Sequence, residues 1–326
     1  MLRTFSFPLY SGSLAEYQNW DEMRAELKQL DCDGIEAIWG GEEFPTDIPA
    51  DLVVGYHLIF FPDWLDYYRE DRTALEQKFG SLEVAEGFYG GLGQETLQSQ
   101  YRDDLERAVR LGAQYVVFHV SDVSLEEGYT YRWLHSDEEV IDASVELINS
   151  LLDGRDWPFY FLVENQWWPG FTFTEPEKTA RLLNGIHYPK KGIMLDIGHL
   201  MNSSTAIRSQ AEGAAFVHNM LDLHGPLARE IRGVHLHQSV SGTYVEANVG
   251  TLPADLPTDY YVRYAASYAH IQQIDTHKPW TDPAICGLID RINPMYLTHE
   301  LSAPDRAARF AAVRQQTAAL DGSGNR

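Results

Sequence analysis

Six short apolar runs in this chain end on a side chain that can bind a metal ion. Leu52–Tyr56 runs into His57, Tyr115–Phe118 into His119 and Phe159–Val163 into Glu164. Ile193–Leu195 leads to Asp196, Ile231–Val234 to His235, and Met295–Thr298 to His299 and Glu300. Glu164, Asp196, His235 and Glu300 make a core quartet of hard carboxylate oxygens with one imidazole. Such a set suits Zn, Mn, Mg or Co and leaves positions for water or substrate. Asn165 and Gln166 follow Glu164 and can hydrogen-bond a ligand or a substrate hydroxyl. Asp196 and His199 form an Asp-x-x-His pair, and His235 and His237, two apart, share one face of a strand. A lone histidine at a strand end is usually a packed structural residue. That explanation weakens when histidines and acids recur at equivalent ends of different runs.

Runs rich in Val, Ile, Tyr and Phe read as strands buried on both faces. Strands are expected near 3–7, 33–38, 52–58, 115–120, 159–164, 192–197, 231–237 and 295–300. Amphipathic helical segments are expected near 13–30, 97–111, 136–152, 175–186, 203–224, 280–290 and 303–319. This alternation predicts a parallel sheet, and eight such strands predict a single-domain (β/α)8 TIM barrel over residues 1–320 with a disordered tail at 321–326. Parallel strands present all their carboxyl ends at one rim, so the terminal residues converge there. The connection Gly40–Pro49 is short and holds two prolines, which argues against a full helix. Two connections are long: Phe60–Gly93 after the third strand, and Gln238–Lys278 after the seventh. Phe61, Trp64, Tyr67, Tyr68, Phe79 and Phe88 crowd the first, and Tyr260, Tyr261, Tyr264 and Tyr268 the second. They read either as aromatic lids over a small substrate or as packing against the barrel or a second subunit of a homo-oligomer.

Acids outnumber Lys plus Arg by 48 to 25, a net charge of −23. Duplex nucleic acid demands a basic footprint, so no duplex partner is expected. No apolar segment approaches the roughly 18 residues that span a bilayer, so no membrane partner is expected. The start lacks the pattern of a secretory signal, and Cys32 and Cys286 show no pairing or metal spacing, which makes a cytoplasmic location the expectation. No Gly-rich phosphate loop, no Gly-x-Ser-x-Gly elbow and no cysteine nucleophile motif is present.

The segments Val163-Glu164-Asn165, Leu195-Asp196-Ile197-Gly198-His199, Val234-His235-Leu236-His237 and Thr298-His299-Glu300-Leu301 resemble the xylose-isomerase-like TIM barrel superfamily. That superfamily includes sugar isomerases, sugar epimerases and the endonuclease IV family. Resemblance to the epimerase branch implies one divalent metal on Glu164, Asp196, His235 and Glu300. It also implies that Glu164 and Glu300 move a proton at the substrate carbon, with His199 touching substrate; His237 is a further candidate for the proton. Resemblance to the endonuclease IV branch implies up to three zinc ions, with His57, His119, His199, Asp275 and His277 as added ligands. The first expectation is therefore a divalent-metal isomerase or epimerase of a small sugar, sugar phosphate or related ketone. The alternative is a multinuclear phosphoester hydrolase on a small substrate. A silent binding barrel is disfavoured by the complete ligand set. Trp167, Trp168 and Pro169 could stack on a sugar ring or simply seal the barrel mouth, and Lys278, Arg132 or Arg69 could meet a substrate phosphate.

Overall fold

The computed structural model describes residues 1–41 and 43–322. Eight parallel strands close into a barrel in the order of the chain. They are β1 (Leu2–Leu9), β2 (Gly34–Trp39), β3 (Val53–His57), β4 (Tyr115–His119), β5 (Tyr160–Glu164), β6 (Lys191–Asp196), β7 (Ile231–Leu236) and β8 (Tyr296–His299). All eight expected strands are present, each within a residue or two of its expected bounds. Of the expected tail, Asp321 and Gly322 form a turn after the last helix, and residues 323–326 lie outside the described residues.

The outer helices follow from local signals. Ser136 caps the helix Asp137–Leu152 with a capping box to Glu139, and Val140, Ile141, Leu147, Ile148 and Leu151 recur on its buried face. Pro176 opens the helix Pro176–Gly185, where its missing N–H costs nothing. The expected helix at 13–30 is instead a short turn, Ser11–Leu14, and a helix Trp20–Gln29 that starts where Asn19 caps the Glu22 amide. The segment expected at 203–224 likewise starts later, at Gln210, where Ser209 supplies the cap. Between β2 and β3 the described residues hold only the 3-10 turn Ala50–Leu52. No helix among the described residues is long and apolar enough to cross a membrane.

Register and parity decide which side chains meet. In β4, β5, β6 and β8, alternate residues ending at His119, Glu164, Asp196 and Glu300 point inward, so His299 points out. It is buried against the helix Arg306–Leu320, where its Nδ1 pairs with Gln316 at 2.8 Å, and burial drives its pKa down to about 3. Register places His119 beside Glu164 and Asp196 beside His235 on neighbouring strands. Beneath them Tyr115 crosses the barrel, its hydroxyl donating to Glu36 at 2.7 Å. A Cβ on Gly55 would come within 2.1 Å of the Tyr115 ring, so only glycine leaves room for this floor.

The two long connections form one roof. The first contains helices Leu65–Tyr68, Arg72–Phe79 and Leu82–Tyr89, and the second contains Gly242–Asn248 and Tyr260–Ile274. Tyr260 stacks on Phe79 at 4.3 Å and meets Phe88 edge-on at 5.4 Å. Arg263 donates to the Lys78 carbonyl at 2.6 Å. Packing is thus the role of Tyr260, Phe79 and Phe88, whereas Tyr264 and Tyr268 on the same helix face the cavity below.

Candidate metal centre

At the carboxyl ends of the strands, the nine expected ligands and His237, expected as a proton carrier, gather into three groups whose donor atoms lie within 4.8 Å of one another. The first is His57, His119 and Glu164; the second Glu164, Asp196, His235 and Glu300; the third His199, His237, Asp275 and His277. Glu164 belongs to two groups. Asp196 ties the second to the third, since His237 Nε2 donates to its Oδ2 at 2.9 Å.

Hydrogen bonds around the imidazoles aim their lone pairs inward. His57 Nδ1 donates to the Leu58 carbonyl at 2.8 Å, which leaves Nε2 3.0 Å from His119 Nε2. His235 Nε2 donates to Glu36 at 3.0 Å, which leaves Nδ1 facing Glu300 at 2.9 Å and Glu164 at 3.4 Å. His199 Nδ1 lies 3.1 Å from the Asn165 carbonyl, and its Nε2 faces Asp275 at 3.2 Å. A ring N–H held by a carboxylate or carbonyl, with the other nitrogen free, is how proteins prepare a metal-binding histidine. Asn165 also fixes β6, accepting from the Asp196 amide at 2.9 Å and donating to its carbonyl at 3.0 Å.

The donor set fits divalent ions. Both oxygens of Glu164, Oε2 of Glu300 and the Nδ1 atoms of His235 and His237 are buried and lack a hydrogen-bond partner among the described residues. Each would cost free energy unless something satisfies it. Burial raises the carboxyl pKa of Glu164, but the attraction of His235 and His119 outweighs it and holds Glu164 well below the usual range. Glu300 is likewise held well below by His235, and Asp275 by His277 and His199, each against burial. All three are ionised, as ligands must be. Most of the site's histidines show the converse, although at His119 burial outweighs Glu164 and lowers the pKa. Burial lowers His235 and His199, but the surrounding carboxylates lift both well above the ordinary value, and Asp275 lifts His277 to about 9. Protons gather where cations are wanted.

Each expected site residue can now be placed. His57, His119, His199, Asp275, His277 and Glu300 line the cavity above the groups, whereas Glu164, Asp196 and His235 lie beneath it, fully buried. His237, expected as a proton carrier, does not line the cavity and sits against the third group instead. It fits there because residue 198 is glycine; a Cβ would fall 1.9 Å from its Cε1. Asp275 and His277 reach the site because the helix Tyr260–Ile274 ends at Asp275. Lys278, Arg132 and Arg69 do not line the cavity, and Arg69 pairs with Glu139 at 3.5 Å. Glu36 was missed by sequence reasoning; its signal is one charge inside the apolar run Ile35–Ile38.

A family model described as xylose isomerase-like TIM barrel matches residues 19–282. No curated protein sequence matches the chain. Among solved structures, endonuclease IV from Thermus thermophilus is similar with a TM-score of 0.56 at 15% identity, over 98% of this chain and 99% of that one. A structure of L-ribulose 3-epimerase is similar with a TM-score of 0.53 at 10% identity, over 99% and 96% of the two chains. At these identities the likeness speaks to the fold.

Proposed function

The chain belongs to the xylose isomerase-like TIM barrel family, and we propose that it is a multinuclear divalent-metal hydrolase of small phosphoesters. The observation that carries this reading is the sharing of Glu164 between two donor groups, with a third group joined through Asp196 and His237. Bound divalent ions would supply charge neutralisation at a phosphoryl group and a water acidified enough to attack it. The chain's own part is positioning. Glu164 fixes the separation of the first and second groups, Glu36 sets the tautomer of His235, and Asn165 holds the end of β6 against β5. Six of the ligand candidates open onto the cavity, so a phosphoryl group there could face all three groups.

An isomerase or epimerase with one metal remains the second reading, because Glu164, Asp196, His235 and Glu300 also make a complete single site. One observation favours the hydrolase: His57, His119, Asp275 and His277 are surplus to single-metal proton transfer, yet they converge on the site. The strong acidity of the chain keeps the expected substrate small rather than a duplex.

Protein reconstituted with Zn or Mn should release nitrophenolate from bis(4-nitrophenyl) phosphate, and a chelator should abolish the release. Inactivity on phosphoesters, together with exchange of carbon-bound hydrogen of ketoses with deuterated solvent, would reverse the choice.

A further inference from the structure

His237 is wholly buried, and its two ring nitrogens face different groups. Nε2 lies 2.9 Å from Asp196 Oδ2. A carboxylate oxygen only accepts, so the ring hydrogen sits on Nε2 and Nδ1 carries a lone pair. That Nδ1 is buried with no hydrogen-bond partner among the described residues, and it stands 3.9 Å from Asp275 Oδ1. The ring centre of His277 lies 4.1 Å from that of His237, and the ring centre of His199 lies 5.6 Å away.

The backbone builds this approach. Gln238 and Lys278 pair as an antiparallel bridge, the Gln238 amide donating at 2.8 Å and the Lys278 amide at 3.3 Å. The residues just before them, His237 and His277, are thereby set side by side. Trp280 Nε1 donates to the His237 carbonyl at 2.8 Å. His277 has φ at 44°, a left-handed conformation that a histidine holds at a cost in free energy. Asp275 is oriented as well. Its Oδ1 accepts from Ser239 at 3.1 Å, while its Oδ2 lies 2.9 Å from His277 Nε2 and 3.2 Å from His199 Nε2.

Three imidazoles and one carboxylate suit zinc. Four protein ligands fill its tetrahedron, whereas a zinc site that does chemistry keeps the fourth position for water or substrate. The first group offers three donors and keeps that position. The second, with three carboxylates and one imidazole, suits harder ions that accept more ligands. Resting on the multinuclear hydrolase reading above, we infer that the third group is a closed zinc site with His237 Nδ1 as its fourth ligand. Its ion ties the insertion after β7, through Asp275 and His277, to the barrel rim. It lends charge to the cavity but binds neither water nor substrate. Through Nε2 the same ring holds Asp196 for the second group.

Zinc and cobalt are the probes, on the full chain. His237→Gln puts an amide N–H where Nε2–H stands, so Asp196 keeps its donor while nothing replaces Nδ1. Titrated with zinc against a chromophoric chelator, wild type should bind three ions. In His237→Gln the affinity for one of them should fall about hundredfold or more, since losing a mere partner of a ligand already costs about 10–100-fold. His237→Asn does the reverse, placing its oxygen near the Nδ1 position, and should hold the third ion more tightly than His237→Gln. A residue that only positions Asp196 would give the opposite order and overturn the inference. In cobalt-loaded protein, the part of the visible spectrum that His237→Gln loses should be intense, as for tetrahedral cobalt. Azide, which needs an open position, should leave it unmoved. Three zinc ions bound by His237→Gln with unchanged affinity, or a lost component that azide shifts, would overturn the inference and leave the multinuclear reading intact. A single ion in wild type would overturn both.

Discussion

Glu164→Gln should remove metal from two groups in one step and lower phosphodiesterase activity by about four orders of magnitude or more. The carboxylate is fully buried, and its two oxygens lie 3.2–3.4 Å from nitrogens of His57, His119, His199 and His235. An amide of the same shape keeps the packing but brings neither the negative charge nor two equivalent donor oxygens. Without that charge, cations in the first and second groups face each other across a neutral side chain, and both bind poorly. Metal content should therefore fall from three ions per chain to one, held by the third group. His119→Asn, which touches only the first group, should cost a single ion. Elemental analysis of the two variants checks the difference, with far-UV circular dichroism to confirm the barrel. Loss of only one ion from Glu164→Gln would remove the case for a shared carboxylate.

Metal loading should raise the unfolding midpoint by about 8 °C for each ion bound, roughly 20 °C or more for three. An ion present at a thousand times its Kd stabilises the folded state by about 4 kcal/mol per site, and a large domain shifts by roughly 2 °C for each kcal/mol. The size of the shift depends on pH in a direction that the site dictates. In the metal-free protein His277 has its pKa raised to about 9 by Asp275, against burial. Its proton therefore contributes stability that is fully present below the unfolded value near 6.5 and is lost as pH rises through 9. His199 and His235 act in the same sense. Bound ions displace these protons, so the loaded protein gains where the metal-free protein loses. The increment on adding Mn should grow between pH 6.5 and 8.5. Scanning calorimetry with Mn and with chelator at the two pH values measures it, and an increment that shrinks over this range would count against the protonated histidines.

Much of this site was legible because a buried parallel strand is an unbroken apolar run, and a polar residue at its end has only the rim to occupy. His57, His119, Glu164, Asp196, His235 and Glu300 follow from that rule alone. The same rule misleads at His299, which ends the same run as Glu300 but lies on the other face of β8. Glu36 was hidden because one acid within Ile35–Ile38 has no partner nearby in sequence; His235 lies 199 residues away and meets it only across the closed barrel. Asp275 and His277 follow a long insertion, and only the helix Tyr260–Ile274 fixes where they land. The aromatic residues of the insertions could not be sorted in advance, since composition is the same for Tyr260, which is buried against Phe79, and Tyr268, which faces the cavity.

Anomalous diffraction from crystals of zinc-loaded protein, collected on both sides of the zinc absorption edge, tests the central claim most directly. The account predicts three anomalous peaks at the carboxyl end of the barrel, one within each donor group, with Glu164 touching two of them. A single peak held by Glu164, Asp196, His235 and Glu300, with His57, His119, Asp275 and His277 left unligated at saturating zinc, would contradict it.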